Sequence, residues 1–259
     1  ITSSWITLEA KVRYITASLR ALLLMATALL LVSCGDNKAN SVISQLSGET
    51  MGTFWHVRLA APLDAPAQAA LQRRIDVALE AVNDSMSTYR DQSELMRFNH
   101  STATTPQPVS DGMRRVVGKA LEISAQSDGV YDITVGPLVN LWGFGPIKRQ
   151  DKPADSEIAE ALQHVGYGKL QLTDAGLAKS DPQVFIDLSS IAKGYGVDVV
   201  AETLLDAGYT NFIVEIGGEV HASGSKYGAP WRVGIERPEQ GLATGEGVEN
   251  IIAMNEKLP

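Results

Sequence analysis

Along residues 55–60 the apolar Trp55, Val57 and Leu59 are interleaved with His56, Arg58 and Ala60, the period of two that marks a half-buried strand. The period then changes. Pro66, a favourable first helical residue, opens a segment to Met86 in which Leu71, Ile75, Ala78, Leu79, Val82 and Met86 recur at helical spacing. Met113 to Ala125 meets the same test for a helix. Val184-Phe185-Ile186 reads as a buried strand, and a helix from about Ser190 to Ala207 follows, stopped by Gly208. Strands then cluster at Phe212 to Ile216, Val220 to Ser223 and Trp231 to Glu236. Helices early and strands late predict an α+β fold with an antiparallel-rich sheet. Pro146 to Pro153 is predicted as a surface loop and a candidate subdomain boundary.

The N-terminal pattern differs from all of this. Lys11, Arg13 and Arg20 precede a largely apolar run, Ala21 to Val32, that leads into Leu31-Val32-Ser33-Cys34. The run is too short for a hydrocarbon core that needs about 20 residues. A basic leader, a short apolar stretch and small residues at a cut site instead fit an export signal with a lipid-attachment box. The alternative, a buried helix ending in a core cysteine, accounts less well for a segment apolar on nearly all faces behind a basic leader. The expected organisation is a signal peptide at 1–33, lipid attachment at Cys34, a polar tether at 34–47 and a folded domain at 48–259. This places the protein in a bacterial cell envelope, anchored by lipid and facing the periplasm. The first methionine, Met25, lies inside the apolar run, so residues before about Lys11 read as translated upstream sequence.

Composition narrows the chemistry. The 259 residues are 44% hydrophobic and 20% charged, with a net charge of −8, which suits a globular domain. The acidic balance and lack of a basic run argue against nucleic-acid binding. A single cysteine, Cys34, excludes an internal disulfide framework and multi-cysteine metal sites. Gly112 and Gly118-Lys119 miss the phosphate-loop spacing, and Ala120 stands where that motif needs Ser or Thr. His56, His100, His164 and His221 are too far apart for a local metal pair, and no Gly-x-Ser-x-Gly elbow occurs.

What remains is Ile186-Asp187-Leu188-Ser189-Ser190-Ile191-Ala192-Lys193-Gly194-Tyr195-Gly196, a strand delivering an acid, two hydroxyls and a lysine to a helix start. Free N–H groups and the helix dipole at such a junction favour a phosphate. Asp187 can accept hydrogen bonds from a ligand, and the hydroxyl or carbonyl near Ser190 suits a hard cation such as Mg²⁺. The plainer alternative makes Asp187 and Ser189 ordinary helix caps.

These residues belong to a wider set. Gly48-Glu49-Thr50-Met51-Gly52-Thr53-Phe54-Trp55, Met86-Ser87-Thr88-Tyr89-Arg90 with Ser93 to Asn99, Asp128 to Gly145, Asp187 to Gly196, and Glu215-Ile216-Gly217-Gly218-Glu219 form five ordered blocks. Together they resemble the FAD:protein FMN transferases, the ApbE family of flavin-trafficking lipoproteins. The resemblance implies an enzyme that binds FAD and Mg²⁺, transfers FMN to a threonine hydroxyl of an acceptor protein such as an electron-transfer subunit, and releases AMP. It places Met51, Tyr89, Arg90, Asp91, Val130, Tyr131, Asp132, Asp187 and Lys193 at the FAD site. Asp187 and Lys193 carry the catalytic expectation, and Ser190 the metal. Met51 and Tyr89 read equally as core or interface residues, Asp128-Gly129 as a turn, and Gly217-Gly218 as a bulge or a close approach to a flat ligand. Phosphoryl-type transfer rests on positioning and charge neutralisation, so the lack of a histidine or cysteine nucleophile is no objection. A base for the acceptor threonine is not identifiable.

One departure stands out. The family pattern continues beyond a strand like Gly247 to Met254 into further metal-binding motifs that these residues do not contain, which implies a C-terminally truncated chain with a weak Mg²⁺ site. A lipid-anchored FAD-binding protein without catalysis, and an Mg²⁺-dependent FAD hydrolase giving FMN and AMP, are the alternative readings. The open sheet edge near Gly247 to Met254 predicts poor solubility.

Overall fold

Strand β1 (Ser44–Thr50) turns directly into β2 (Thr53–Leu59) in the computed structural model, which describes residues 41–237 and 247–254. The expected signal peptide, Cys34 and the first half of the expected tether, to residue 40, lie outside the described residues. The two-residue turn is Met51-Gly52, with φ of 49° and 73°. Positive φ at both central positions is the hairpin geometry that matches the twist of the flanking strands. Strand β1 begins ahead of the expected domain start at Gly48 and corrects it: Leu46 is buried in the core, and Ser44 Oγ donates to Ala61 O and accepts from Leu63 N. The polar composition of 44–47 hid the start of an edge strand, where Leu46 is the one buried side chain.

Four antiparallel strands form the main sheet in the order β1-β2-β5-β6, with β5 at Phe212–Ile216 and β6 at Glu219–Ser223. Trp55, Val57 and Leu59 point into the core, and His56 and Arg58 point away, as their alternation predicts. Helix α1 (Ala65–Met86) is capped by Asp64, whose carboxylate accepts from Ala67 N at 2.8 Å. Its Leu71, Ile75 and Leu79 cover the sheet together with Val197, Val200 and Leu204. Further along α1, Val82 and Met86 enter a second core with Leu95, Phe98, Met113, Val117, Ile133 and Leu188.

That second core is built by α2 (Glu94–His100), α3 (Asp111–Gln126) and the hairpin β3 (Leu170–Thr173) and β4 (Gly176–Lys179). Helices α4 (Gly136–Leu141) and α5 (Asp155–Leu162) flank the loop at Pro146 to Pro153. Residues from Val42 onward cluster as one unit, so this loop marks no subdomain boundary. Strands β7 (Trp231–Glu236) and β8 (Val248–Met254) pair only with each other among the described residues. Ile235, Val248, Ile251 and Ile252 are exposed on this ribbon.

The expected strand at Val184 to Ile186 is corrected to an extended segment outside any sheet. Its one ladder contact is an isolated parallel bridge between Val135 and Phe185. Val184, Ile186 and Leu188 are fully buried, so their backbone groups need partners from elsewhere. Asn99 Nδ2 donates to Ile186 O at 2.9 Å, Asn99 Oδ1 accepts from Ile186 N at 2.8 Å, and Asp187 N donates to Ile133 O at 2.8 Å. Lys179, itself 1% exposed, donates from Nζ to Asn99 O at 3.0 Å and Val184 O at 3.1 Å. Burial pushes its ammonium pKa down. Helix α6 (Ala192–Asp206) starts two residues later than expected and has no side-chain cap.

Candidate functional site

A cleft of about 1040 Å³ opens between the Met51-Gly52 turn, the C-terminal half of α1, the loop at Ser87 to Arg90 and the start of α6. Met51, Thr53, Tyr89, Arg90, Ser189 and Lys193 all line it. Four of the expected FAD residues, Met51, Tyr89, Arg90 and Lys193, are thus brought together from distant blocks.

Each is held by a specific local device. Met51 packs against both cores, and a Cβ on Gly196 of α6 would stand 2.9 Å from its Cε. Gly196 is therefore the space that admits the Met51 side chain. Arg90 donates to Glu80 at 2.7 and 3.0 Å and to Asp84 at 2.6 Å, tying its loop back to α1. These carboxylates raise the guanidinium pKa, and the Arg90 hydrogen bond lowers that of Glu80. Tyr89 is 63% exposed, and its hydroxyl donates to Phe144 O at 3.2 Å. Lys193 Nζ donates to Glu219 Oε1 at 2.9 Å and Oε2 at 3.0 Å, and to Gly217 O at 3.3 Å.

The remaining expected residues, Asp91, Val130, Tyr131, Asp132 and Asp187, are not among the cleft lining. Tyr131 Oη lies 3.1 Å from Ser190 Oγ, next to Ser189 of the cleft wall. Val130 is 91% exposed and Asp91 is exposed. The Asp132 carboxylate accepts from Thr134 N at 2.8 Å, Thr134 Oγ1 at 2.6 Å and Tyr167 N at 2.7 Å, which closes a turn. Asp187 is 8% exposed, and its carboxylate accepts from Ser189 N at 2.7 Å. At the helix start, Ala192 N is already bonded to Leu188 O at 2.8 Å, so one donor expected to face a phosphate is committed.

Both cations in the lining are paired. Glu49 and Glu80 in the lining, with the partners Asp84 and Glu219, give four carboxylates to two cations. An anionic ligand meets a cleft of net negative charge. Among the described residues no group of three or more His, Cys, Asp or Glu side chains is placed to hold a metal. Ser190, exposed beside Tyr131, offers its hydroxyl and carbonyl alone, short of the near-octahedral oxygen set Mg²⁺ requires.

The pairings of Lys193 with Glu219 and Arg90 with Glu80 escaped the sequence, because no local spacing links those residues. Gly217-Gly218 did carry a signal of close approach. What approaches in the structure is Thr53 and the Lys193 stem: a Cβ on Gly217 would lie 2.8 Å from Thr53 Cγ2 and 3.3 Å from Lys193 Cδ.

A family model described as the ApbE family matches residues 51–258. The chain belongs to the ApbE family. An FAD:protein FMN transferase of Vibrio cholerae is 44% identical over 219 residues, covering 84% of this chain and 65% of the relative. One from Haemophilus influenzae is 44% identical over 243 residues, covering 89% and 68%. The chain therefore spans about two thirds of the length of these relatives, and just under that for the first. Among solved structures, the flavin transferase ApbE from Vibrio cholerae aligns with a TM-score of 0.71 at 45% identity, covering 76% of this chain and 65% of that one. The ApbE protein of Thermotoga maritima aligns at 0.71 with 27% identity, covering 82% and 68%. The α+β architecture is that of ApbE proteins.

Proposed function

We propose that the protein to which these residues belong is an FAD:protein FMN transferase. A threonine hydroxyl of an acceptor protein attacks the FMN-side phosphorus of FAD. The bond from that phosphorus to the bridging oxygen breaks, AMP leaves with the bridging oxygen, and the hydroxyl proton passes to solvent. The observation that carries this reading is the convergence of Met51, Tyr89, Arg90 and Lys193 on one cleft, whose volume is at the upper end of small-molecule sites.

The roles are assigned by the chemistry of each side chain. Met51 and the exposed ring of Tyr89 supply apolar surface for a flat ring system. Lys193, at the first turn of α6, is assigned to the phosphates, where its charge and the helix dipole would act. Arg90 braces the Tyr89 loop. Mg²⁺ is proposed as the cofactor that offsets pyrophosphate charge in a cleft where carboxylates outnumber cations. Ser190 is the residue we assign to its coordination, and the described residues do not complete a site. The reading also includes export, lipid attachment at Cys34 and a position facing the periplasm, supported by the leader pattern of Lys11 to Cys34.

The test combines the protein with FAD, Mg²⁺ and an acceptor domain bearing an exposed threonine, followed by intact-mass measurement and an AMP assay. An FMN-sized gain on the acceptor with matching AMP is expected. AMP without an adduct would replace transfer by FAD hydrolysis, and bound FAD with neither product would leave a flavin-binding protein.

A further inference from the structure

Building on the flavin-transfer reading, we propose that Glu219 is a positioning residue that acts through Lys193. An ammonium has three donors, and Lys193 Nζ lies within hydrogen-bond distance of both Glu219 oxygens, at 2.9 and 3.0 Å, and of the Gly217 carbonyl at 3.3 Å; the two oxygens belong to one carboxylate and can share a donor, which leaves one for a ligand. Lys193 lines the cleft, whereas Glu219 is absent from its lining. The carboxylate therefore touches the ligand site only through the lysine.

The turn that carries Glu219 is itself fixed. Gly217 N donates to Phe54 O at 3.2 Å, and Gly218 N donates to Glu215 Oε1 at 2.7 Å. The other oxygen of Glu215 meets His56 Nδ1 at 2.9 Å. Gly217 and Gly218 have φ of 55° and 101°, which favours glycine. Gly217 lies close enough that a Cβ would strike Thr53 at 2.8 Å and crowd the Lys193 stem at 3.3 Å. The start of β2, the start of α6 and the β5–β6 turn thus close around one lysine side chain. A lysine with four rotatable bonds loses much rotamer freedom when it must order around a ligand. Glu219 imposes that order beforehand, which is the advantage of a preorganised site.

The test measures FAD affinity by flavin fluorescence at physiological ionic strength in the whole protein and in Glu219→Gln, Glu219→Ala, Glu219→Asp, Lys193→Met and the double variant Glu219→Ala/Lys193→Met. Glu219→Gln and Glu219→Ala are expected to weaken FAD binding about fivefold or more. Glu219→Asp, which keeps the charge, should return affinity to within about threefold. The double variant should bind no more weakly than Lys193→Met, and melting temperatures should stay within a few degrees. Unchanged or tighter binding in Glu219→Gln would overturn the proposal, making Glu219 a bystander or a competitor for the lysine. Additive losses in the double variant would overturn it too, as would a large fall in melting temperature that accounts for the weaker binding. Normal coupling without FMN transfer to an acceptor would defeat the transferase reading alone; transfer without coupling would defeat the Glu219 role alone.

Discussion

Asn99 of α2 holds Ile186 by both backbone groups, donating to its carbonyl at 2.9 Å and accepting from its N–H at 2.8 Å across 87 positions of sequence. One side-chain amide does here what a neighbouring strand does elsewhere. The segment it holds leads directly to Asp187, Ser189 and Ser190.

Asn99→Ala should therefore destabilise the protein by about 2–4 kcal/mol, since it leaves buried donor and acceptor groups without partners. Chemical denaturation measures the loss. FAD affinity should fall at the same time, because Ser189 of the cleft wall is one residue beyond Leu188 of this buried run. A stability change under about 0.5 kcal/mol would contradict the clamp.

Two glycines should respond to substitution very differently. In Gly196→Ala the new Cβ meets the flexible end of Met51 at 2.9 Å, so folding should lose less than about 1.5 kcal/mol while FAD binding weakens as Met51 is displaced. In Gly176→Ala the Cβ falls 1.9 Å from the backbone oxygen of Gln107 at a φ of 136°. Backbone cannot yield as a methionine can, and a loss of at least about 3 kcal/mol is expected. Parallel denaturation and FAD titration of the two variants check the contrast.

Asp187→Ala should weaken FAD binding by about 1–3 kcal/mol. The carboxylate is nearly buried and shapes the turn through Ser189 N. Asp187→Asn, which keeps an acceptor for that N–H, should recover part of the loss. Equal affinity in the wild type and Asp187→Ala, measured by titration, would remove Asp187 from the site.

Acid should loosen α5. Glu157 accepts from Ala154 N at 2.7 Å and pairs with Arg149 at 2.8 and 3.0 Å. The Arg149 hydrogen bond, with that from Ala154 N, lowers its carboxyl pKa from 4.5 to about 2. A carboxylate depressed in the folded state stabilises it above the unfolded value, and the contribution disappears as pH falls from about 4.5 to about 2. Protection of the α5 amides, that is exchange corrected for its intrinsic pH dependence, should fall across that window, and Glu157→Gln should show reduced protection already at neutral pH.

Cys34→Ser should abolish lipid attachment if the leader is processed as proposed. Mass spectrometry of the membrane fraction should lose the diacyl adduct, and the variant should leave the detergent-rich phase. An unchanged distribution would refute the anchor.

Local periodicity made much of the architecture legible. The alternation of Trp55, Val57 and Leu59 and the helical spacing from Leu71 to Met86 each describe a face that must be buried, and the structure buries those faces. Such patterns are readable because backbone geometry repeats over a few residues whatever surrounds it. The ordered motif blocks named Met51, Tyr89, Arg90 and Lys193, and the structure brings these four to one cleft. Tertiary structure alone decided what those residues do to one another. The apolar run Val184 to Ile186 carries no mark distinguishing a sheet strand from a segment clamped by Asn99 and Lys179. Nor does a lysine carry a mark naming Glu219, 26 positions away, as the carboxylate that fixes its charge. Hydrogen bonds and ion pairs depend on distance in space, and chain separation does not encode that distance.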